Sequence, residues 1–214
     1  ELTLETVITD PDGHVAAQNT CPVVLYEGEE RTFDFRLLVT DVRLWSEDTP
    51  SMYHVTTRLM DGEHVVDVSA DTFGIRTLTV DPIHGFRVNG KTVKFRGACI
   101  HHDSGLLGAA TFEEAEYRRI SILKKAGFNA IRMSHHPAAP ALLRACDALG
   151  MYVMDETFDM WQRCKSDSDY GLYFDEWWEK DVEAMVARGY NHPSVVMYSV
   201  GNEIPGIGTD KGAK

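Results

Sequence analysis

What this chain lacks narrows its function before any motif is read. Basic residues are scarce: 21 Lys and Arg stand against 33 Asp and Glu, a formal net charge of −12 over 214 residues. Nucleic acids and anionic membrane surfaces are held by clustered cations, so neither is expected as a partner. No stretch approaches the ~20 consecutive apolar residues of a membrane span. The opening ELTLETVITD has no basic segment leading into an apolar core, so no signal peptide is read there and a cytoplasmic location is expected. It also lacks Met, which leaves the true start open. Cys21, Cys99, Cys146 and Cys164 are scattered with no CxxC, which reads as free thiols in a reducing compartment rather than a disulfide framework or a zinc site. There is no GxGxxG and no GxxxxGK[ST], so nucleotide binding has no support.

What is present is a globular mix, 43% hydrophobic and 25% charged, long enough for two domains. The two halves follow different rules. Residues 1–90 alternate in the manner of strands. LTLETVITD and a turn at Asp10-Pro11-Asp12-Gly13 lead into HVAAQ; RTFDFRLLV, YHVTTRLMDG, HVVDVSADTFGI and TLTVD follow, and FRVNGKTVKF carries a two-residue Asn89-Gly90 hairpin turn. Short strands at this spacing predict an antiparallel sandwich, here short of a complete one. Residues 91–214 alternate apolar strands with helices. Strands are expected at 95–100, 128–133, 151–154 and 195–200. Helices are expected at 111–126, opened by Thr111 and Glu114 in capping-box spacing, at 140–149 and at 175–188. Strands apolar on both faces and joined through helices pair in parallel, which fits either an open doubly wound sheet or part of an eight-fold barrel.

Each of these strands ends in polar residues: His101-His102-Asp103, Ser134-His135-His136, Asp155-Glu156 and Asn202-Glu203. In parallel α/β folds those ends share one rim, where sites are built. A carboxylate held there beside an apolar strand is expected to be partly desolvated, which raises its pKa and suits Glu203 to proton donation. Asn202 can both give and accept hydrogen bonds toward hydroxyls. The aromatic rings of Trp161, Tyr170, Tyr173 and Phe174 precede the third helix, placed either to cover a sugar's CH face or simply to pack their loop.

FGIRTLTVD, FRVNGKTVKFRGACIHHD, FNAIRMSHHP, ACDALGMYVMDE and HPSVVMYSVGNE, with LWSEDTPSMY upstream, together resemble glycoside hydrolase family 2, and within it β-galactosidases, with β-glucuronidase the nearest rival. The resemblance implies an immunoglobulin-like β-sandwich over 1–90 and the first four strands of a (β/α)8 TIM barrel over 91–214. It implies a β-galactoside or related carbohydrate as substrate and a homo-oligomeric parent protein. It further implies that Glu203 is the acid/base, that Asn202 binds the sugar 2-hydroxyl, that His101 and His135 touch the glycone, and that Arg132 shapes the pocket beneath. Among the loop aromatics, Trp161 is the one expected to bind substrate. The family's nucleophile is a Glu on a later strand, which puts the second carboxylate outside this chain and leaves the chain inactive by itself. Some relatives bind magnesium through a Glu and a His two apart after the third strand. Met160 and Gln162 stand at those places here, so no cofactor is expected. Two other readings stand beside this one. His101, His102, His135, His136 and Asp155 could ring a metal in a hydrolase of another kind, although adjacent strand residues face opposite ways. Alternatively, the chain is a non-catalytic carbohydrate-binding or structural piece.

Overall fold

The structure is a computed structural model and describes residues 2–205 and 207. The chain opens with β1 (Leu2–Thr9), β2 (Val15–Pro22), β3 (Tyr53–Asp61) and β4 (His64–Phe73), an antiparallel sheet in the order β2-β1-β3-β4. Asp10 makes the first turn: its Oδ1 accepts from the backbone N–H of Asp12 and of His14, both at 2.9 Å. The expected strand at RTFDFRLLV does not form. Phe33, Phe35, Leu37 and Val39 keep the alternating half-burial of a strand, but the segment pairs with none of the described strands. Among the described residues, 1–76 therefore hold one assigned four-stranded sheet. Burial periodicity reports which face meets the protein; a strand also needs a partner for its N–H and C=O groups.

A small antiparallel sheet follows, made of β5 (Leu78–Asp81), β6 (Gly85–Val88) and β7 (Lys91–Thr92). Its Asn89-Gly90 turn has φ of 52° and 78°, the left-handed pair that a two-residue hairpin requires.

The second half contains β8 (Gly97–Ile100), α1 (Glu113–Lys125), β9 (Ala130–Met133), α2 (Pro140–Leu149), β10 (Tyr152–Glu156), α3 (Phe174–Gly189) and β11 (Val195–Ser199). The four strands form one parallel sheet in chain order, open at both edges, with β11 as an edge strand. α2 covers the predicted span: Pro140 opens it, and Gly150 ends it at φ 71°. A Cβ on Gly150 would come within 2.4 Å of the Glu47 carbonyl oxygen, so this position tolerates no side chain. α1 starts at Glu113 with Phe112 at its cap and no side-chain cap bond, so the Thr111–Glu114 capping box does not form. On α3 only Met185 of the expected apolar face is buried; Trp178 and Val186 stay largely exposed, because no neighbouring element packs over them among the described residues.

The pleat sorts the core. Ile131, Met133, Val153 and Val195 join Ile120, Leu142, Leu143 and Cys146 between the sheet and its helices. Ala130 and Tyr152 face the other way, toward Trp45 and Val88, where the small sheet closes the lower end of the strands. Trp45 is fully buried. It stands edge-on to Tyr152 at 5.7 Å, and its Nε1–H donates to the Asp147 carbonyl at 2.8 Å. Asn89 Nδ2 donates to the Trp45 carbonyl at 2.9 Å, and Lys124 Nζ to the carbonyls of Glu47 and Gly150 at 2.7 and 2.8 Å. Arg76 reaches the carbonyls of Pro193 and Val195, both at 2.5 Å, and so holds the start of β11. The LWSEDTPSMY segment is thus the joint between the two halves.

Removing the Trp45 ring should open a cavity at this joint. Trp45→Ala is expected to cost about 3–5 kcal/mol, and Trp45→Phe, which keeps a ring but loses the N–H, about 1–2 kcal/mol. Denaturant midpoints of the two variants measure both, and values close to wild type would show that the indole does not clasp the halves.

Candidate active site

A polar network occupies the C-terminal ends of β9, β10 and β11. Along β10 the alternation turns Asp155 and Glu156 to opposite sides, and this decides what each can do. Glu156 is fully buried and accepts hydrogen bonds from three directions. Arg132 on β9 donates to Oε2 through Nε and Nη2 at 3.1 and 2.7 Å. Ser199 on β11 donates its hydroxyl to Oε2 at 2.6 Å. His135 Nδ1 lies 2.6 Å from Oε1. Burial disfavours the charge, but the bonds from Ser199, His135 and Arg132 outweigh it, so the Glu156 carboxyl titrates below the ordinary glutamate range. With Nδ1 donating, Nε2 is the acceptor of the neutral His135 ring.

Asn202 hangs from this network. Arg132 Nη2 donates to its Oδ1 at 3.0 Å, and its Nδ2 donates to Asp159 Oδ1 at 2.8 Å. Its backbone N–H donates to the Phe158 carbonyl at 2.9 Å. The structure therefore brings Arg132, His135 and Asn202 together. His101 joins at the edge, its ring 5.4 Å from that of His135 and perpendicular to it. Trp161 also lies here: its Nε1–H donates to the Val200 carbonyl at 2.8 Å, and its ring stacks on Phe174 at 5.9 Å. A Cβ on Gly201 would meet Ile204 at 2.6 Å and Trp161 Nε1 at 3.0 Å, so the glycine lets the indole approach the strand end. Tyr170 stacks on Phe158 and bonds Asp181 through its hydroxyl, packing its own loop; Tyr173 is exposed.

Glu203 departs from expectation. Its side chain is 80% exposed, 3.6 Å from Lys165 Nζ, rather than desolvated against the strand. β11 is an edge strand, and no described strand pairs with its outer edge. Glu203 also sits at φ 49°, a left-handed conformation that bulky side chains rarely adopt outside functional sites.

The other polar residues separate from this group. His102 and His136 stack on each other at 4.3 Å. Burial, then the positive neighbours His136, Arg119 and Arg188, push His102 below the ordinary imidazole value. Asp155 is buried and accepts from the Ala138 N–H at 2.7 Å; burial raises its pKa. It supports the turn into α2 and does not line the mouth. Asp103 is exposed. The two histidine pairs and Asp155 thus do not converge. Among the described residues, only Asp10, Asp12 and His14 bring three ligand atoms within 4.8 Å, and Arg43 already pairs with both aspartates of that turn. Met160 is buried with only a thioether to offer, and Gln162 is exposed, so these two positions do not suit magnesium.

Sequence reasoning missed Ser199, Asp159 and Lys165. Ser199 had a signal, a lone hydroxyl in an apolar strand. Asp159 and Lys165 lie in an irregular loop where periodicity says nothing about what faces the rim.

Residues 81–213 match the model of the glycosyl hydrolases family 2 TIM barrel domain, and residues 1–76 match a second model of glycosyl hydrolases family 2. The chain belongs to glycosyl hydrolase family 2. A beta-galactosidase of Bacteroides ovatus is 42% identical over 95% of the chain, which spans 24% of that protein. A putative beta-glucuronidase of Formosa agariphila is 41% identical over 78% of the chain, 16% of that protein. A crystal structure of a family 2 member from Bacteroides cellulosilyticus superposes with a TM-score of 0.92 at 46% identity, covering 99% of the chain and 27% of that structure's chain. The chain spans about a quarter of the beta-galactosidase and of that structure.

Glu156→Gln keeps the shape but removes the charge that Arg132 and His135 rely on. It is expected to cost about 3–5 kcal/mol at neutral pH, because it strands a partly buried guanidinium. The native pKa of Glu156 is lowered, so its contribution is complete above the unfolded glutamate value and is lost as pH falls through the native one. Stability measured from pH 7 down to 3 should therefore fall less steeply in the variant than in wild type; parallel curves would exclude the charge as the cause.

Proposed function

We propose that this chain is the acid/base-bearing part of a retaining exo-β-glycosidase that hydrolyses terminal β-galactosides. The reading assigns residues 1–90 to the family's immunoglobulin-like domain and the open parallel sheet to the first four strands of its barrel. One observation carries it: Asn202, tied to Arg132, Glu156 and His135, sits at the end of β11 immediately before an exposed glutamate in a left-handed conformation.

Glu203 protonates the departing glycosidic oxygen and then takes a proton from the water that releases the sugar. Its reach and exposure suit a group that must meet a leaving group of variable shape. Asn202, Arg132 and His135 supply fixed donors and acceptors to the glycone, with His101 and Trp161 at the margin. The nucleophile is none of the carboxylates near the rim: Glu156 is bound on both oxygens, and Asp155 faces the helices. The family resemblance puts it on a later strand. No metal takes part in this reading.

The test is to express the whole open reading frame that carries this chain and to assay aryl β-galactosides beside aryl β-glucuronides. Glu203→Gln should lower kcat on substrates with poor leaving groups by about 10²–10⁴-fold, and far less on a dinitrophenyl glycoside that needs no proton. EDTA should leave turnover unchanged, and the 214-residue chain alone should show none. Preference for the glucuronide would move the reading to β-glucuronidase. A Glu203→Gln enzyme with wild-type rates on every substrate would remove Glu203 from the chemistry.

A further inference from the structure

The loop between β10 and α3 carries a charged bridge that the family motifs do not include. Asp159 Oδ1 accepts at once from Asn202 Nδ2 at 2.8 Å and from Lys165 Nζ at 2.7 Å. Lys165 Nζ in turn lies 3.6 Å from Glu203 Oε2. The lysine is not a loose surface cation. Its own backbone N–H donates to Asp169 Oδ2 at 2.5 Å, the Ser166 N–H donates to the same oxygen at 2.7 Å, and the Gly171 N–H donates to Asp169 Oδ1 at 2.9 Å. Phe158 stacks on Tyr170, and Trp161 on Phe174, which ties the start of the loop to its end.

Building on the proposed glycosidase reading, we infer that Asp159 and Lys165 act as a positioning pair for the reaction: Asp159 fixes the amide of Asn202 toward the sugar, and Lys165 holds a positive charge against the acid/base Glu203. The amide of Asn202 could otherwise turn over and exchange its donor and acceptor. Arg132 on one side and Asp159 on the other allow a single orientation, with Oδ1 toward the guanidinium and Nδ2 toward the carboxylate. Both members of the pair are charged at neutral pH. Burial opposes the Asp159 charge, but the bonds from Lys165 and Asn202 hold its pKa low, while the bond to Asp159 holds that of Lys165 high.

Glu203 must be protonated to release the leaving group and ionised to activate water. The Lys165 ammonium, 3.6 Å from Glu203 Oε2, attracts the carboxylate when it carries its charge, as it must to take a proton from water. The other titratable groups near the rim are Asp159 behind the lysine, Glu156 with Arg132 and His135 beneath Asn202, and His101 beside His135. Among the described residues, only Lys165 is in ion-pair contact with Glu203.

The experiment uses the whole enzyme and four variants. Lys165→Met should move the alkaline limb of kcat/KM for an aryl β-galactoside upward by about 0.5–1 pH unit, and Lys165→Arg should leave it near wild type. Asp159→Ala should lower kcat/KM about tenfold or more on the galactoside, yet much less on its 2-deoxy analogue, because Asp159 works through Asn202 on that hydroxyl. A merely structural role would penalise both substrates alike and leave the limb in place; that pair of results overturns the inference. Glu203→Ala, assayed with and without azide, tests the underlying reading separately. Azide-restored turnover supports the acid/base assignment whatever Lys165 does. A Glu203→Ala enzyme that keeps full activity without azide defeats the reading and the inference together.

Discussion

A buried carboxylate is costly to leave without hydrogen bonds, and Glu156, buried with both oxygens bonded, organises this site. Its oxygens draw Arg132 from β9, His135 from the segment that follows and Ser199 from β11. Three strand ends are thereby tied through side chains at the level where their backbone ladders stop. The arrangement depends on the pleat of β10. Were Glu156 one residue earlier it would face the helices, as Asp155 does, and would meet the N–H of Ala138 instead of a guanidinium. Arg132 obeys the same rule on β9, between Ile131 and Met133, which both enter the core. The chemistry-bearing face and the packing face are thus two readings of one alternation.

That alternation explains why much of the molecule could be read from sequence. α2 was bounded correctly because Pro140 and Gly150 are stereochemical signals that act within a few residues, and the Asn89-Gly90 turn was legible for the same reason. The parallel strands were visible as apolar runs, and the rim as the polar residues at their ends. Failures arose where the determining partner is distant. RTFDFRLLV has the composition and the burial rhythm of a strand but no neighbour to bond. The Thr111–Glu114 spacing matches a capping box, yet α1 begins one residue later than the box requires, with Phe112 at its cap. Met185 alone is buried on the α3 face, because covering Trp178 takes a neighbour that its own sequence cannot specify.

The site was legible in the same graded way. The asparagine–glutamate pair and His135 were legible as polar residues at strand ends, and Arg132 through the family resemblance. Glu156 was recognisable as a rim carboxylate but not as the hub, because its role depends on three partners on other segments. Asp159 and Lys165 come from an irregular loop whose path is set by Asp169 and by aromatic stacking, which no periodicity encodes.

The two halves of the chain meet at backbone carbonyls rather than at opposed charges, and this bears on how the site keeps its geometry. Trp45, Lys124 and Arg76 all donate to main-chain oxygens across the joint. A hydrogen bond to a carbonyl fixes backbone position directly, whereas a surface ion pair can be re-formed by a change of rotamer. Arg76 acts on the residues that start β11, and the opposite end of that strand carries Asn202 and Glu203. The strand is therefore anchored at its base by the antiparallel half and at its tip by Ser199 and Asn202, with Glu203 beyond both anchors. In the proposed glycosidase reading, the groups assigned to the sugar are locked and the carboxyl assigned to proton transfer lies beyond both anchors. This division follows from geometry: recognition requires donors and acceptors in fixed places, whereas one carboxyl must serve first a leaving oxygen and then a water.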